Sequence, residues 1–163
     1  MFRRGDCTVE VFLVHPGGPF WARKDAGAWS IPKGEYADRE DPLEAAKREF
    51  QEETGFIAEG RFIGLSEVKQ PGGKVVAGWA MEGDCDPTKL KSNTFSMEWP
   101  PRSGRRIEAP EIDRGAWFPI EDARARLLIG QRPFLDRLLE RLQESQPRAS
   151  VEARHRRGRI EQS

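Results

Sequence analysis

Cysteine is scarce in this chain: Cys7 and Cys85 stand alone among 163 residues, with no C-x-x-C pair and no metal-like spacing. That pattern argues against a disulfide scaffold, fits a reduced cytosolic protein, and makes neither thiol a site candidate. Net charge is lacking as well. The 27 Lys and Arg balance the 27 Asp and Glu, so no global field draws the protein to nucleic acid or a membrane, and any pull on a charged ligand is local. No apolar run approaches the ~20 residues that a membrane span requires. The start, M-F-R-R-G-D, lacks the apolar region of a signal peptide, so the cytoplasm is the expected location. No internal repeat is visible, and the length suits one domain able to bury a core.

Charge is abundant, at 33% of residues, and it is densest between Gly34 and Phe56. There, eight acidic residues crowd against Arg39, Lys47 and Arg48. Asp41-Pro42-Leu43-Glu44 predicts a helix start: an Asp N-cap, Pro in the first helical position and Glu three residues after the cap. Thr54-Gly55 predicts its end. Leu43, Ala46, Phe50 and Thr54 then form an apolar stripe, while Glu49, Glu52 and Glu53 lie about a third of a turn away. Like charges at this spacing destabilise a helix unless something offsets them. Mg²⁺ and Mn²⁺ suit the task, being hard cations that take carboxylate, carbonyl and phosphate oxygens. A solvated acidic face fits the charge pattern too. Arg48, one turn before Glu52, is placed to pair with Glu40 and pin the preceding loop to the helix.

The rest of the chain alternates strand and turn signals. Val9 to His15 reads as a central strand covered on both faces, stopped by Pro16-Gly17-Gly18-Pro19. Phe56-Ile57 and Arg61 to Val68 look strand-like, and a Pro71-Gly72-Gly73 turn leads into Val75 to Met81. Thr94 to Trp99 alternates apolar and polar, as a half-buried strand should, and Pro100 to Arg106 reads as a loop. Ala116-Trp117-Phe118 is a short last strand, followed by helices from Pro119-Ile120 to about Leu128 and from Pro133 to about Leu142. Residues 143–163 form a basic tail, expected to be solvated and disordered after a domain at 1–142. Strands around one central helix with helices at the end describe an α/β or α+β sandwich.

Gly34, five residues, Glu40, seven residues and then Arg48-Glu49-Phe50-Gln51-Glu52-Glu53-Thr54-Gly55-Phe56 match every fixed position of the Nudix box, G-x5-E-x7-R-E-U-x-E-E-x-G-U. The chain therefore resembles the Nudix hydrolases, and the lead-in Trp29-x-x-Pro32-Lys33-Gly34 is similar to their diadenosine polyphosphate and diphosphoinositol branches. The resemblance implies an α/β/α sandwich with a mixed sheet and a loop-helix-loop catalytic motif. It also implies Mg²⁺- or Mn²⁺-dependent hydrolysis of a nucleoside diphosphate linked to another group. Carried over by position, Glu49, Glu52, Glu53 and the Gly34 carbonyl would hold the metal, and Glu40 with Arg48 would hold the box together. The general base is Glu49 or Glu53 within the box, or Glu108 or Glu111 outside it. The chain starts almost at its first strand, so an edge of the sheet is expected to be missing or the native start to lie earlier.

Specificity lies outside the box. Lys33, Lys69, Lys74, Arg102, Arg105 and Arg106 sit in or beside predicted loops, where Arg suits bidentate phosphate contacts, although any one of them is more often a surface charge. Among the aromatics, Phe20, Trp21 and Trp99 are the better candidates to stack on a base, a contact worth ~1 to 3 kcal/mol, with Trp29 also eligible. Trp79 and Trp117, inside strands, read as core. Lys33, Trp99, Arg102 and Arg105 are thus the substrate-binding candidates, and the expected partner is a small nucleoside polyphosphate, possible dinucleoside forms included, with no membrane or specific nucleic acid. An oxidised-nucleotide sanitising enzyme and a non-catalytic Nudix-like ligand-binding protein are the alternatives, and oligomeric state is left open.

Overall fold

A computed structural model describes residues 1–5, 8–37 and 39–145. Its strands are β1 (Phe2–Arg4), β2 (Val9–Pro16), β3 (Phe62–Lys69), β4 (Val75–Met81), β5 (Thr94–Glu98), β6 (Arg106–Pro110) and β7 (Ile112–Pro119). The helices are α1 (Pro42–Thr54), α2 (Ile120–Arg126) and α3 (Pro133–Glu144). Most of the expected basic tail, residues 146–163, lies outside the described residues, while Gln143 and Glu144 belong to α3. No helix among the described residues is long and apolar enough to cross a membrane.

β2 organises the fold. It pairs antiparallel with β1 on one side and β7 on the other, and Val11 to His15 are all buried. Its alternating side chains feed two cores. Val11 and Leu13 pack with Ile120 and Leu127, at the start and end of α2, and with Phe134, Leu135, Leu138 and Leu142 of α3. Phe12 and Val14 pack with Phe50 of α1 and Ile112 of β7. Burial on both faces is why this strand is a continuous apolar run. β3 and β4 form a separate hairpin, joined to β1 by a parallel bridge between Phe2 and Glu82. Arg137 of α3 donates to the carbonyls of Leu65 and Glu67, both at 2.8 Å, and clips α3 onto the irregular stretch of β3 where Ser66 has φ 60°. The whole is an α/β sandwich with mixed strand contacts.

Several expectations need correction. Phe2–Arg4 supplies an edge strand that was not foreseen. Phe56-Ile57 belongs to no strand, and the last strand starts at Ile112 rather than Ala116. The expected loop at Pro100 to Arg106 gives way at Arg106 to β6, which pairs with β5 as a ribbon detached from the other strands. In β5, Thr94, Phe95, Ser96 and Glu98 are all exposed, so its alternation does not mark a half-buried strand: among the described residues nothing covers the ribbon's apolar face fully. The helix after Pro119 ends at Arg126, two residues early.

Candidate active site

α1 forms where its caps dictate. The Asp41 carboxylate accepts from the N–H groups of Leu43 and Glu44, both at 3.0 Å, and Pro42 fills the first turn, where no N–H partner is needed. Gly55, at φ 76°, turns the chain out of the helix and donates to the Gln51 carbonyl. Glu44 does not complete a capping box; its carboxylate accepts from Lys47 at 2.6 Å instead. The buried stripe is Ala45, Phe50 and Thr54, with Leu43 and Ala46 only half-buried at its edge.

The acidic face is held by one arginine. Arg48 Nε donates to Glu40 at 3.1 Å, Nη1 to Glu49 at 2.7 Å and to Glu52 at 3.3 Å, and Nη2 to the Glu35 carbonyl at 3.3 Å. The expected Arg48–Glu40 tie between loop and helix is therefore present, and Arg48 also separates two of the three clustered glutamates. Glu49, with 18% side-chain exposure, lies against Gly34: a Cβ built on Gly34 would fall 1.7 Å from Glu49 Cδ. Only glycine allows that approach. Glu53 turns the other way and accepts from the Lys33 main-chain N–H at 2.9 Å. Burial, opposed by the Lys33 contact and assisted by the charges of Glu49 and Glu111, raises the Glu53 carboxyl to about 7. Glu111, at the β6–β7 corner, is thereby placed near Glu53.

Among the described residues, no group of three or more His, Cys, Asp or Glu side chains converges as a ready metal cage. The donor chemistry nevertheless fits a hard cation: carboxylates on one helical face, a carboxyl whose ionisation is opposed first by burial and then by neighbouring carboxylates, and a loop glycine packed against Glu49. Arg48 Nη1 sits between Glu49 and Glu52 where cationic charge is needed.

The family profile described as NUDIX domain matches residues 3–138. The chain belongs to the NUDIX domain family. A 32-residue stretch is 56% identical to Nudix hydrolase 25 of Arabidopsis thaliana, spanning 20% of this chain and 18% of that protein. An Ap4A hydrolase of C. elegans, seen in a binary complex, shares the fold with a TM-score of 0.59 at 18% identity, over 88% of this chain and 94% of that one. The NUDIX domain of Shewanella oneidensis NrtR, complexed with ADP ribose, has a TM-score of 0.57 at 17% identity, over 86% and 82% of the two chains. The α/β sandwich described above is thus the NUDIX fold.

Within this NUDIX domain, the expected substrate contacts are scattered. Lys33 meets the box through its main chain, its side chain being exposed. Trp99, Arg102 and Arg105 lie in the turn closing the β5–β6 ribbon, and among the described residues no hydrogen bond or ion pair joins them to the box. Trp29 is core, 4% exposed, with its indole donating to Asp25 at 2.7 Å. Phe20 and Trp21 lie near the surface, capped by Lys24 Nζ at 3.7 and 4.6 Å from their ring centres. Trp79 and Trp117 are half-buried, nearer the core role expected of them. The Glu35–Lys74 pair, at 2.9 Å, was not foreseen; it ties the glycine loop to the β3–β4 turn.

Proposed function

We propose that this chain is a divalent-metal-dependent pyrophosphohydrolase of nucleoside polyphosphates, dinucleoside polyphosphates among them, working in the cytoplasm. The carrying observation is the arrangement around Arg48 and Gly34, which holds Glu49 and Glu52 on one flank of α1 and Glu53 on the loop side. Glu49, Glu52, Glu53 and the Gly34 carbonyl would hold Mg²⁺ or Mn²⁺. Once bound, the ion supplies charge neutralisation of the pyrophosphate and acidification of a water. Arg48 fixes two of the ligands, and the Lys33 N–H fixes the third. With Glu49 and Glu53 taken as ligands, the base is sought outside the box: Glu108 and Glu111 are both exposed, and Glu111, whose charge acts on the Glu53 carboxyl, is the one this reading favours to take the water's proton. The nucleotide reading is supported by the kinship in fold with an Ap4A hydrolase and an ADP-ribose complex.

The experiment is Mg²⁺-dependent hydrolysis of diadenosine tetraphosphate, ADP-ribose and an 8-oxo-purine triphosphate, read by chromatographic separation of the nucleotide products. Turnover of diadenosine tetraphosphate at least tenfold above that of the 8-oxo compound is expected. The reverse order rejects the polyphosphate preference, and no turnover of any of the three rejects the activity.

A further inference from the structure

The corner between β6 and β7 is a single residue: Glu111 alone separates Pro110 from Ile112. Glu111 is exposed, so its main-chain groups could be left to water. Instead, two other segments take them up. The Glu111 N–H donates to the Asn93 carbonyl at 2.8 Å, and the Glu111 carbonyl accepts from the Gly17 N–H at 2.9 Å. The Ile112 N–H donates to Ser92 Oγ at 2.9 Å, and that hydroxyl donates in turn to the Asn93 carbonyl at 3.0 Å. Gly17 is pressed so closely on the corner that a Cβ there would fall 2.0 Å from the Pro110 carbonyl oxygen.

The corner is also tied to the box and to the sheet. Lys91, one residue before Ser92, donates its main-chain N–H at 2.9 Å to the carbonyl of Thr54, the last residue of α1. Residues 91–93 thus form a strap from the end of the box helix to Glu111. On the other side, the pairing of β2 with β7 shifts between His15 and Pro16, which makes Asp113 an extra residue on β7. His15 Nδ1 lies 2.8 Å from Asp113 Oδ1 and fixes this bulge. Bulges of this kind recur beside active sites, where they re-aim a side chain. A main chain held on both sides fixes the point from which the Glu111 carboxylate reaches out, and its charge acts on Glu53. Most of the holding groups are backbone and survive any substitution. Among the described residues, Ser92 is the one side chain that hydrogen-bonds the main chain of residues 110–112.

We infer that Ser92 is a positioning residue for the reaction: its hydroxyl fixes the main chain of Glu111 and Ile112 and so holds the Glu111 carboxylate at the box. The role in turnover rests on the reading of Glu111 as the base, whereas the hold on the corner stands by itself. Without the hydroxyl, the N–H of Ile112, a residue 7% exposed, loses its acceptor and the corner is free to shift. A misplacement of ~1 Å can cost about 100-fold in rate.

The test compares Ser92→Ala, Ser92→Thr, Glu111→Gln and the double variant Ser92→Ala with Glu111→Gln. Two readouts are used: Mg²⁺-dependent hydrolysis of diadenosine tetraphosphate, and amide hydrogen exchange of the metal-free protein. Glu111→Gln should lower kcat about 100-fold or more. Ser92→Ala should lower kcat about tenfold with KM within about twofold of the parent, and Ser92→Thr, which keeps the hydroxyl, should restore it. In the Glu111→Gln background, Ser92→Ala should cost nothing further, because both changes act through one carboxylate. An equal loss in the two backgrounds makes Ser92 merely structural and overturns the proposal. Full kcat in Ser92→Ala beside a large loss in Glu111→Gln overturns the proposal alone, and parent kcat in Glu111→Gln overturns the base and the positioning role together. Exchange of the Glu111 and Ile112 amides should rise at least about tenfold in Ser92→Ala, with Phe12 and Leu13 unchanged. Unchanged exchange at the corner overturns the hold whether or not any substrate is turned over. If Ser92→Ala fails to fold, Ser92→Cys takes its place in each arm, its thiol being a weak acceptor.

Discussion

The two faces of α1 share thirteen residues and one pair of caps, yet they answer to different physics. The inner face, Ala45, Phe50 and Thr54, stabilises the protein by burial and owes its position to β2 and β7. The outer face, Glu49, Glu52 and Glu53, stores repulsion that Arg48 and the Lys33 N–H only partly relieve. One face makes the fold, and the other, on the function proposed above, is kept against the fold's interest for chemistry. Substitutions on the two faces should therefore separate stability from turnover.

The largest effect is expected inside. Phe50 is 7% exposed and packs with Phe12, Val14 and Ile112, so Phe50→Ala should lower unfolding free energy by about 3 to 5 kcal/mol. Urea titration measures it, and a loss under about 1 kcal/mol would show that the face is not core. On the outside, Glu52→Gln should cut Mg²⁺-dependent turnover by about 100-fold or more, since even residues that merely orient metal ligands cost ~10 to 100-fold. With 46% side-chain exposure at Glu52, stability should stay within about 0.5 kcal/mol of the parent. Unchanged turnover would remove Glu52 from the metal site. Gly34→Ala comes next. Its Cβ must displace the Glu49 carboxylate, so about a tenfold loss of turnover is expected with little change in melting temperature, Gly34 being exposed. Full activity in that variant would mean the Gly34–Glu49 contact has no part in catalysis.

The same contrast governs what was legible in the sequence. Caps are local chemistry, and Asp41, Pro42 and Gly55 announced α1 to the residue. The spacing of Glu49, Glu52 and Glu53 pointed to the candidate site for the same reason, because a helix converts spacing into a face. Burial depends on what the rest of the fold brings, and there the reading slipped. Leu43 and Ala46 looked like core and instead border a cavity beside β4. Alternation in β5 looked like a half-buried strand, yet the ribbon it forms with β6 stands apart from the sheet and takes Trp99, Arg102 and Arg105 with it. A two-residue period specifies a strand with two unlike faces, and only topology specifies what covers either one.

The smallest effect belongs to Glu53, and its sign discriminates best between the faces. Its folded carboxyl is raised to about 7, mainly by burial, from an ordinary value of 4.5. Between those values the folded metal-free protein holds a proton that the unfolded chain has released. The stability this contributes is complete below pH 4.5 and is lost as pH rises through 7. Metal-free protein should therefore melt at progressively lower temperature from pH 5 to pH 8. Glu53→Gln should flatten that slope, whereas Phe50→Ala should shift the whole curve down without changing it. Adding Mg²⁺ to the parent should raise the melting temperature more at pH 8 than at pH 6, because the ion binds the ionised carboxylate. An identical slope in Glu53→Gln would assign the pH dependence to another group and leave the outer face with less stored repulsion than its charges suggest.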